Sequence, residues 1–117
     1  MKYLRLALQV AKAGKTKRKN HHLGVIAKRK DGSIITACNT PAESKSPNAH
    51  AESKALRQAG YGCKELYVTR IMANGDYGLA KPCFTCRQLI IKSGVKKVIY
   101  SVDANTISVW YPLKEKI

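Results

Sequence analysis

Two short segments, each at the start of a helical pattern, constrain the fold of this chain more than any other feature. The first is His50-Ala51-Glu52, whose helical run over 51–59 ends at Gly60. The second is Pro82-Cys83-Phe84-Thr85-Cys86, whose helical run over 84–93 ends at Gly94. Pro is typical of a first helical turn and Gly of the position after a helix. Two helix N-termini, far apart in sequence, would make a compact site if they face one point.

These two segments carry the side chains of a metal site that keeps an open position. His50, Cys83 and Cys86 are zinc-binding residue types, and a catalytic zinc keeps three protein ligands and one open position. Zinc lowers the pKa of its bound water to about 7. Glu52, two residues after His50, is close enough to reach that water without binding the metal. We therefore predict one Zn²⁺ per chain, with Glu52 as the catalytic proton carrier.

The same residues admit other interpretations. A lone Cys-x-x-Cys is also typical of a redox pair or of half a structural zinc site. A closed zinc site would need a fourth protein ligand, for which the sequence offers Cys38, Cys63, His21 or His22. Cys38 and Cys63 are otherwise expected to be thiols in or near the core, because four cysteines that include a ligand-type pair fit a reducing compartment.

The combination of His-x-Glu with Pro-Cys-x-x-Cys is the signature of zinc deaminases that act on nucleobases. With Asn39 ahead of the histidine, the chain resembles the cytidine and deoxycytidylate deaminase superfamily over roughly residues 2–102. Lys81-Pro82-Cys83 and the run over 93–100 look most like deoxycytidylate deaminases. Cys86-Arg87-Gln88 is more like the free-nucleoside enzymes, and the run over 66–69 is similar to tRNA adenosine deaminases.

The resemblance implies roles for further residues. Asn39 would hydrogen-bond the substrate sugar, the backbone of Ala51 would meet the base edge, and a carbonyl near Lys81 would accept from the amine. Tyr77 lies in the segment 73–81, which reads as a turn or flap, and is a candidate for stacking on a base. The resemblance also implies a homo-oligomer, since this superfamily forms dimers and tetramers.

The charge of the chain is strongly basic. Lys and Arg total 22 and Asp and Glu total 7, which gives a formal net charge of +15, and no acidic residue precedes Asp31. Basic clusters occur over 12–19 and 28–30 and favour a phosphate-bearing substrate or a single-stranded nucleic acid partner. The sequence has no apolar run of transmembrane length and no signal peptide pattern. We therefore predict no membrane association and a cytoplasmic location.

The order of predicted elements is α-β-β-α-β-α-β-β, which favours a mixed sheet covered by helices. Helices are predicted over 2–13, 51–59 and 84–93, and strands over 23–28, 34–38, 65–72, 97–102 and 106–111. The expected fold is a three-layer α/β/α sandwich of the cytidine deaminase type, a single domain over 1–117 with a five-stranded mixed sheet. The turn between 102 and 106 suggests that the fifth strand is antiparallel, an arrangement that resembles free-nucleoside deaminases rather than nucleotide or nucleic-acid deaminases.

Three functions remain open at this point. The leading prediction is a zinc-dependent hydrolase of C–N bonds in nucleotide metabolism, which converts a cytosine nucleotide or nucleoside (deoxycytidylate-like or cytidine-like) to its uracil form with release of ammonia. The first alternative is a cytosine or adenine deaminase of single-stranded DNA or RNA, including tRNA. The second alternative is a non-catalytic, zinc-stabilised nucleic-acid-binding module.

Overall fold

The computed structural model describes residues 2–13, 22–38, 51–59, 62–71, 77–103 and 105–114. Within these ranges three helices alternate with strands in the order α1 (Lys2–Ala13), β1 (His22–Arg29), β2 (Ile34–Cys38), α2 (Ala51–Ala59), β3 (Cys63–Ile71), β4 (Tyr77–Gly78), α3 (Phe84–Lys92), β5 (Lys97–Asp103) and β6 (Thr106–Trp110). Helices α1 and α2 begin and end as the sequence predicts, and the longer strands differ from prediction by one or two residues at their ends. No helix in the described ranges is long and apolar enough to span a bilayer.

The strands form one mixed sheet in the order β2-β1-β3-β5-β6, with β4 paired to the end of β3. β1 is antiparallel to both β2 and β3, β3 is parallel to β5, and β5 is antiparallel to β6. The predicted antiparallel final strand is therefore confirmed. The first hairpin turns at Gly32, whose φ of 89° suits glycine.

Alternating side chains of the central strands separate two apolar clusters. One contains Ile26, Tyr67 and Ile99 and packs against Leu4 and Ala7 of α1. Neighbouring strand residues point the other way and form the larger cluster with α2 and α3, which includes Val25, Leu66, Val68, Val98, Ala55 and Ile90. Because successive strand side chains face opposite sides of a sheet, the helices lie in two layers. This is the predicted three-layer α/β/α sandwich.

Helix α1 packs against the sheet at a position that only glycine can occupy. A Cβ atom built on Gly24 would lie 2.0 Å from the carbonyl oxygen of Ala7 and 2.5 Å from the backbone nitrogen of Ala11. The Thr69 hydroxyl donates a hydrogen bond to the Leu4 carbonyl at 3.1 Å. Backbone contact at Gly24 and this buried hydrogen bond fix the distance and direction of α1 over β1 and β3.

The prediction of five strands is wrong by one. Residues 77–78, predicted to lie in a turn or flap, form β4, in which Gly78 pairs with Arg70 and Tyr77 with Ile71. The extra strand exists because β3 continues past its pairing with β5. The buried Ser101 of β5 connects β4 to β3 at the point where β3 has strands on both sides. Its hydroxyl donates to the Gly78 carbonyl at 2.6 Å and accepts from the Arg70 amide at 3.3 Å.

This topology brings the starts of α2 and α3 together. Each of these helices leads back across the sheet into one of the two parallel strands, α2 into β3 and α3 into β5. Both helices therefore begin at the end of the sheet where β3 and β5 finish. In sheets of this kind functional groups gather at the carboxyl ends of parallel strands.

Candidate metal centre

The first turn of α2 buries a carboxylate. Ala51 is fully buried, and Glu52 and Ser53 are each 3% exposed. A buried carboxyl group is costly unless its surroundings stabilise the negative charge. Glu52 lies in the first turn of its helix, where the positive end of the helix dipole favours an acidic residue. The carboxylate that the sequence singled out is thus held inside the protein rather than on its surface.

The two cysteines occupy the start of α3. Cys83 is the N-cap residue, with extended φ and ψ of −69° and 169° and no capping hydrogen bond from its side chain. Its carbonyl accepts the first helical hydrogen bond, from the Arg87 amide at 2.8 Å. Cys86 follows in the first turn and is fully buried, whereas Cys83 is exposed. The pair therefore lies at the edge of the protein interior, with Cys86 enclosed and Cys83 open to solvent.

The two helix ends are in contact. The Ser53 hydroxyl and the Cys86 sulfur are 3.8 Å apart and share a hydrogen bond between α2 and α3. Burial raises the pKa of the Cys86 thiol above its ordinary value, and the negative charge of Glu52 and a hydrogen bond with Cys83 raise it further. Two thiols and a carboxyl group therefore occupy one partly buried place, where their negative forms repel one another.

This donor set suits zinc, a divalent ion that takes thiolate ligands. A cation bound by Cys83 and Cys86 would offset the repulsion and leave Glu52 beside it. Among the described residues, no three His, Cys, Asp or Glu side chains are close enough to bind one ion. The predicted third ligand, His50, lies outside the described residues, so the ligand set stays a prediction.

The closed zinc site receives no support from the cysteines that the structure describes. The Cys63 thiol donates instead to the Glu65 carbonyl at 3.4 Å. Neither Cys38 nor Cys63 forms a metal-binding group with Cys83 and Cys86 within the part of the chain described. His21 and the side chain of His22 lie outside that part.

The predicted substrate contacts fall in different places. Ala51 begins α2 beside the cluster, and the exposed Lys81 lies in the extended segment just before Cys83. That segment is tied to β5 by the Ala80 amide, which donates to the Ser101 carbonyl at 2.8 Å. Tyr77 instead lines a separate pocket formed with α1 and the β5–β6 turn. Asn39 lies outside the described residues.

Two neighbours of the cysteines were not singled out by sequence reasoning. Ser53 contacts Cys86, and its only signal is its place next to Glu52 in a first helical turn. The Arg87 guanidinium donates to the Pro82 carbonyl at 3.4 Å and lies 5.9 Å from the centroid of the Phe84 ring. Arg87 thereby fixes the segment that leads into α3, and only its adjacency to Cys86 could have indicated this.

Comparisons with known proteins show the family of the chain. Residues 1–102 match the family described as the cytidine and deoxycytidylate deaminase zinc-binding region. A tRNA-specific adenosine deaminase from Aquifex aeolicus is 33% identical over 100 residues, which are 85% of this chain and 63% of that protein. The chain thus spans less than two thirds of that relative's length.

Solved structures share the fold. A cytidine deaminase from Burkholderia pseudomallei superposes with a TM-score of 0.67 at 24% identity, over 92% of this chain and 91% of that one. One from Mycobacterium leprae gives a TM-score of 0.61 at 24% identity, over 92% and 90% of the two chains. At such low identity these likenesses show the common architecture.

Proposed function

Because this chain belongs to the cytidine and deoxycytidylate deaminase family, we propose that it is a zinc-dependent deaminase that converts a cytosine nucleoside or nucleotide to its uracil form and releases ammonia. The observation that carries this proposal is the contact between the starts of α2 and α3. It puts the buried Glu52 carboxylate beside the Cys83–Cys86 pair. Metal ligands and an acid that is not itself a ligand are the two parts that hydrolytic deamination requires.

In this proposal Cys83 and Cys86, together with His50, hold the metal. Zinc, when bound, supplies hydroxide near neutral pH by lowering the pKa of its water. Glu52 would take a proton from the attacking water and deliver it to the ring nitrogen. It would then carry the proton of the new C–OH group to the amine, which leaves as ammonia while the carbonyl forms. Its burial excludes bulk water as a competing proton source, and the Ser53–Cys86 hydrogen bond keeps its helix in place against α3. Asn39 would bind the sugar, and the Ala51 backbone and a carbonyl near Lys81 would read the base.

The antiparallel β6 supports a small substrate. The sheet ends in a β5–β6 hairpin that turns at 103–106. This ending resembles free-nucleoside deaminases, whereas a helix followed by a parallel strand resembles enzymes of nucleotides and nucleic acids. The net charge of +15 favours a substrate that carries phosphate. A cytosine nucleoside or its monophosphate therefore heads the list of substrates to test.

A polynucleotide substrate is the second candidate. It is favoured by the tRNA-specific adenosine deaminase relative at 33% identity and by the basic charge. The base to be deaminated would then be adenine or cytosine in a single-stranded region, because an unpaired base can enter a deaminase pocket. Cytoplasmic location and homo-oligomer formation remain predictions that accompany either candidate.

The test is an ammonia-release assay on the full chain after zinc loading, with cytidine, deoxycytidine, their monophosphates, and single-stranded oligonucleotides containing cytosine or adenine. Glu52→Gln keeps the size of the side chain and should lower turnover at least about 100-fold, the usual contribution of a proton-transfer group. Zinc content, measured by atomic absorption, should stay at one ion per chain. Glu65→Gln is the matched control, because Glu65 lies on β3 and its carboxylate accepts from the Tyr67 hydroxyl.

The possible outcomes separate the three functions. Turnover of mononucleosides or mononucleotides alone supports the first candidate. Turnover of oligonucleotides alone, with steep loss on adding salt, supports the second. If no substrate releases ammonia while zinc is bound, the result supports the third function, a non-catalytic zinc-stabilised module. Equal activity of Glu52→Gln and Glu65→Gln would remove the role given to Glu52.

A further inference from the structure

The outer face of α1 is a basic stripe. Its members share one side of the helix and are all exposed: Lys2, Arg5, Gln9 and Lys12. Residues on the opposite side, which include Leu4, Ala7 and Ala11, are buried against the sheet. At 3.6 residues per turn and 1.5 Å per residue, the four exposed side chains span roughly 80° of the circumference and about 15 Å of length. The three cations therefore form a narrow, continuous row.

Helix stability does not explain this row. Lys12 lies in the last turn, where a cation suits the helix dipole, but the first turn of α1 contains no acidic residue. Lys2 and Arg5 lie near the N-terminus, where cations are unfavourable to the dipole. Lys28 adds a further cation, since its ammonium group and that of Lys2 lie 5.0 Å and 5.7 Å from the centroid of the same Tyr3 ring. An anionic partner would reduce the repulsion among these like charges.

Two carboxylates of the described residues near α1 already accept hydrogen bonds, and one of them, Asp103, also lines a pocket with Arg5. Glu65, which lies opposite Lys28 in the strand register, accepts a hydrogen bond of 2.6 Å from the Tyr67 hydroxyl. Asp103 accepts from the Asn105 amide at 2.9 Å. These two groups stabilise local structure and leave the row on α1 with an excess of positive charge.

A pocket of about 470 Å³ opens at the N-terminal end of the stripe, a size typical of small-molecule sites. Leu4 and Arg5 line it from α1 and Tyr77 from β4, and the β5–β6 turn contributes Asp103, Asn105 and neighbouring residues. An aromatic ring and polar groups that can both donate and accept hydrogen bonds suit a heterocyclic base. The Asp103 carboxylate disfavours a phosphate there and favours the N–H groups of a base.

We propose that the α1 stripe and this pocket together bind single-stranded nucleic acid. Phosphates would follow Lys2, Arg5 and Lys12, and one unpaired base would enter the pocket beside Tyr77. Basic tracks combined with aromatic side chains are how proteins bind single strands. This interface lies on the α1 side of the sheet, opposite α2 and α3, so it does not depend on the proposed deamination and need not hold the base that reacts.

The first test compares two triple variants of equal charge by fluorescence anisotropy with a labelled 20-nucleotide oligo-uridylate. One is Lys2→Gln, Arg5→Gln and Lys12→Gln. The control is Lys64→Gln, Lys92→Gln and Lys96→Gln, three exposed lysines outside α1. The α1 variant should bind at least tenfold more weakly at physiological salt. Its slope of log affinity against log salt should fall by about 2, at roughly 0.7 per phosphate contact on single strands.

The control triple should keep the slope of the wild-type protein, and circular dichroism of both variants should show unchanged melting. Equal losses in the two triples would overturn the proposal, because they would mean that the total charge alone attracts the oligonucleotide. Absence of wild-type binding would overturn it as well. Loss of binding to phosphatidylserine vesicles, with oligonucleotide binding intact, would assign the stripe to a membrane surface instead.

The pocket is tested with Tyr77→Ala and, as its control, Tyr77→Phe. Stacking of a base on an aromatic ring is worth about 5-fold to 100-fold in affinity. Tyr77→Ala should bind oligo-uridylate more weakly by this factor, whereas Tyr77→Phe should bind it as tightly as the wild-type protein. Neither variant should change the affinity for an oligonucleotide of abasic sugars. Equal affinity of Tyr77→Ala and Tyr77→Phe for oligo-uridylate would overturn the base contact.

Discussion

Replacing Gly24 with alanine should lower the free energy of unfolding by about 3 kcal/mol, the upper end of the usual range for overpacking. The new Cβ would lie 2.0 Å from the Ala7 carbonyl oxygen, whereas ordinary contacts begin at 3.4 Å. The obstacle is the backbone of α1 rather than the flexible end of a side chain. The whole helix must therefore retreat by about 1.4 Å, since no rotamer change relieves the contact.

That retreat loosens every contact between α1 and the sheet. A gap of 0.5–1 Å already forfeits a quarter to a half of a dispersion contact, and Leu4, Ile26, Tyr67 and Ile99 all belong to the cluster between these layers. The hydrogen bond from Thr69 to the Leu4 carbonyl, 3.1 Å long, would stretch as well. Packing loss and strain act together, which places the expected effect near the top of the range.

The assay is thermal and urea unfolding of the full chain followed by circular dichroism. A loss of 3 kcal/mol in a chain of this size corresponds to a fall in melting temperature of about 12 °C. Gly62→Ala is the matched control, because the nearest atom to its Cβ would be 4.0 Å away and its φ is not positive. It should stay within about 0.5 kcal/mol of wild type. Equal stability of the Gly24 and Gly62 variants would refute the reasoning.

Three further predictions concern single groups. Ser101→Ala should lower the free energy of unfolding by about 1–3 kcal/mol, because the buried hydroxyl forms hydrogen bonds with both Gly78 and Arg70. Urea unfolding measures this free energy, and a loss no larger than that of Ser108→Ala would contradict the prediction. Burial raises the pKa of Cys63 to about 11, so at pH 8 only about one thiol in a thousand is ionised. Alkylation of Cys63, followed by mass spectrometry, should therefore be slow in the folded protein, faster as the pH rises towards 11, and fast in urea. Equal alkylation rates of the native and unfolded protein at pH 8 would contradict this prediction. Removing zinc with a chelator should lower the melting temperature of the wild-type protein, because free zinc a hundredfold above its Kd adds about 2.7 kcal/mol to the free energy of unfolding. The melting temperature of Cys86→Ser should not change. An unchanged wild-type melting curve would speak against a bound ion.

The parts of the fold that the sequence predicts well are those set by local pattern. Helix α1 follows from its apolar period and α2 from its place between a polar loop and Gly60. The hairpin turn at Gly32 needs a positive φ that favours glycine. Each of these features is determined by residues that are neighbours in the sequence.

Strand β4 shows what such patterns miss. Two residues are too short for any alternation, and their pairing depends on β3 continuing past β5 and on Ser101 from a distant part of the sequence. The position of Tyr77 in the pocket beside α1 depends on the same pairing of β4 with the end of β3. The contact of Ser53 with Cys86 likewise needs two helices to meet. The prediction of Glu52, Cys83 and Cys86 rests on a motif in the sequence, and the roles of these residues remain proposals.

The order of pairing in the sheet also has a consequence for how the protein folds. The β1–β2 and β5–β6 hairpins join sequence neighbours, whereas β1 and β3 pair residues as distant as His22 and Ile71. Closing long loops is slow, so we expect the hairpins to form early and the central pairing late. Glu52 and the cysteines lie in the two connections that lead into β3 and β5, so they meet only after the centre closes. Stopped-flow refolding should then give the same rate of sheet formation whether zinc is present from the start or added later, and an acceleration by early zinc would show that the metal instead nucleates folding.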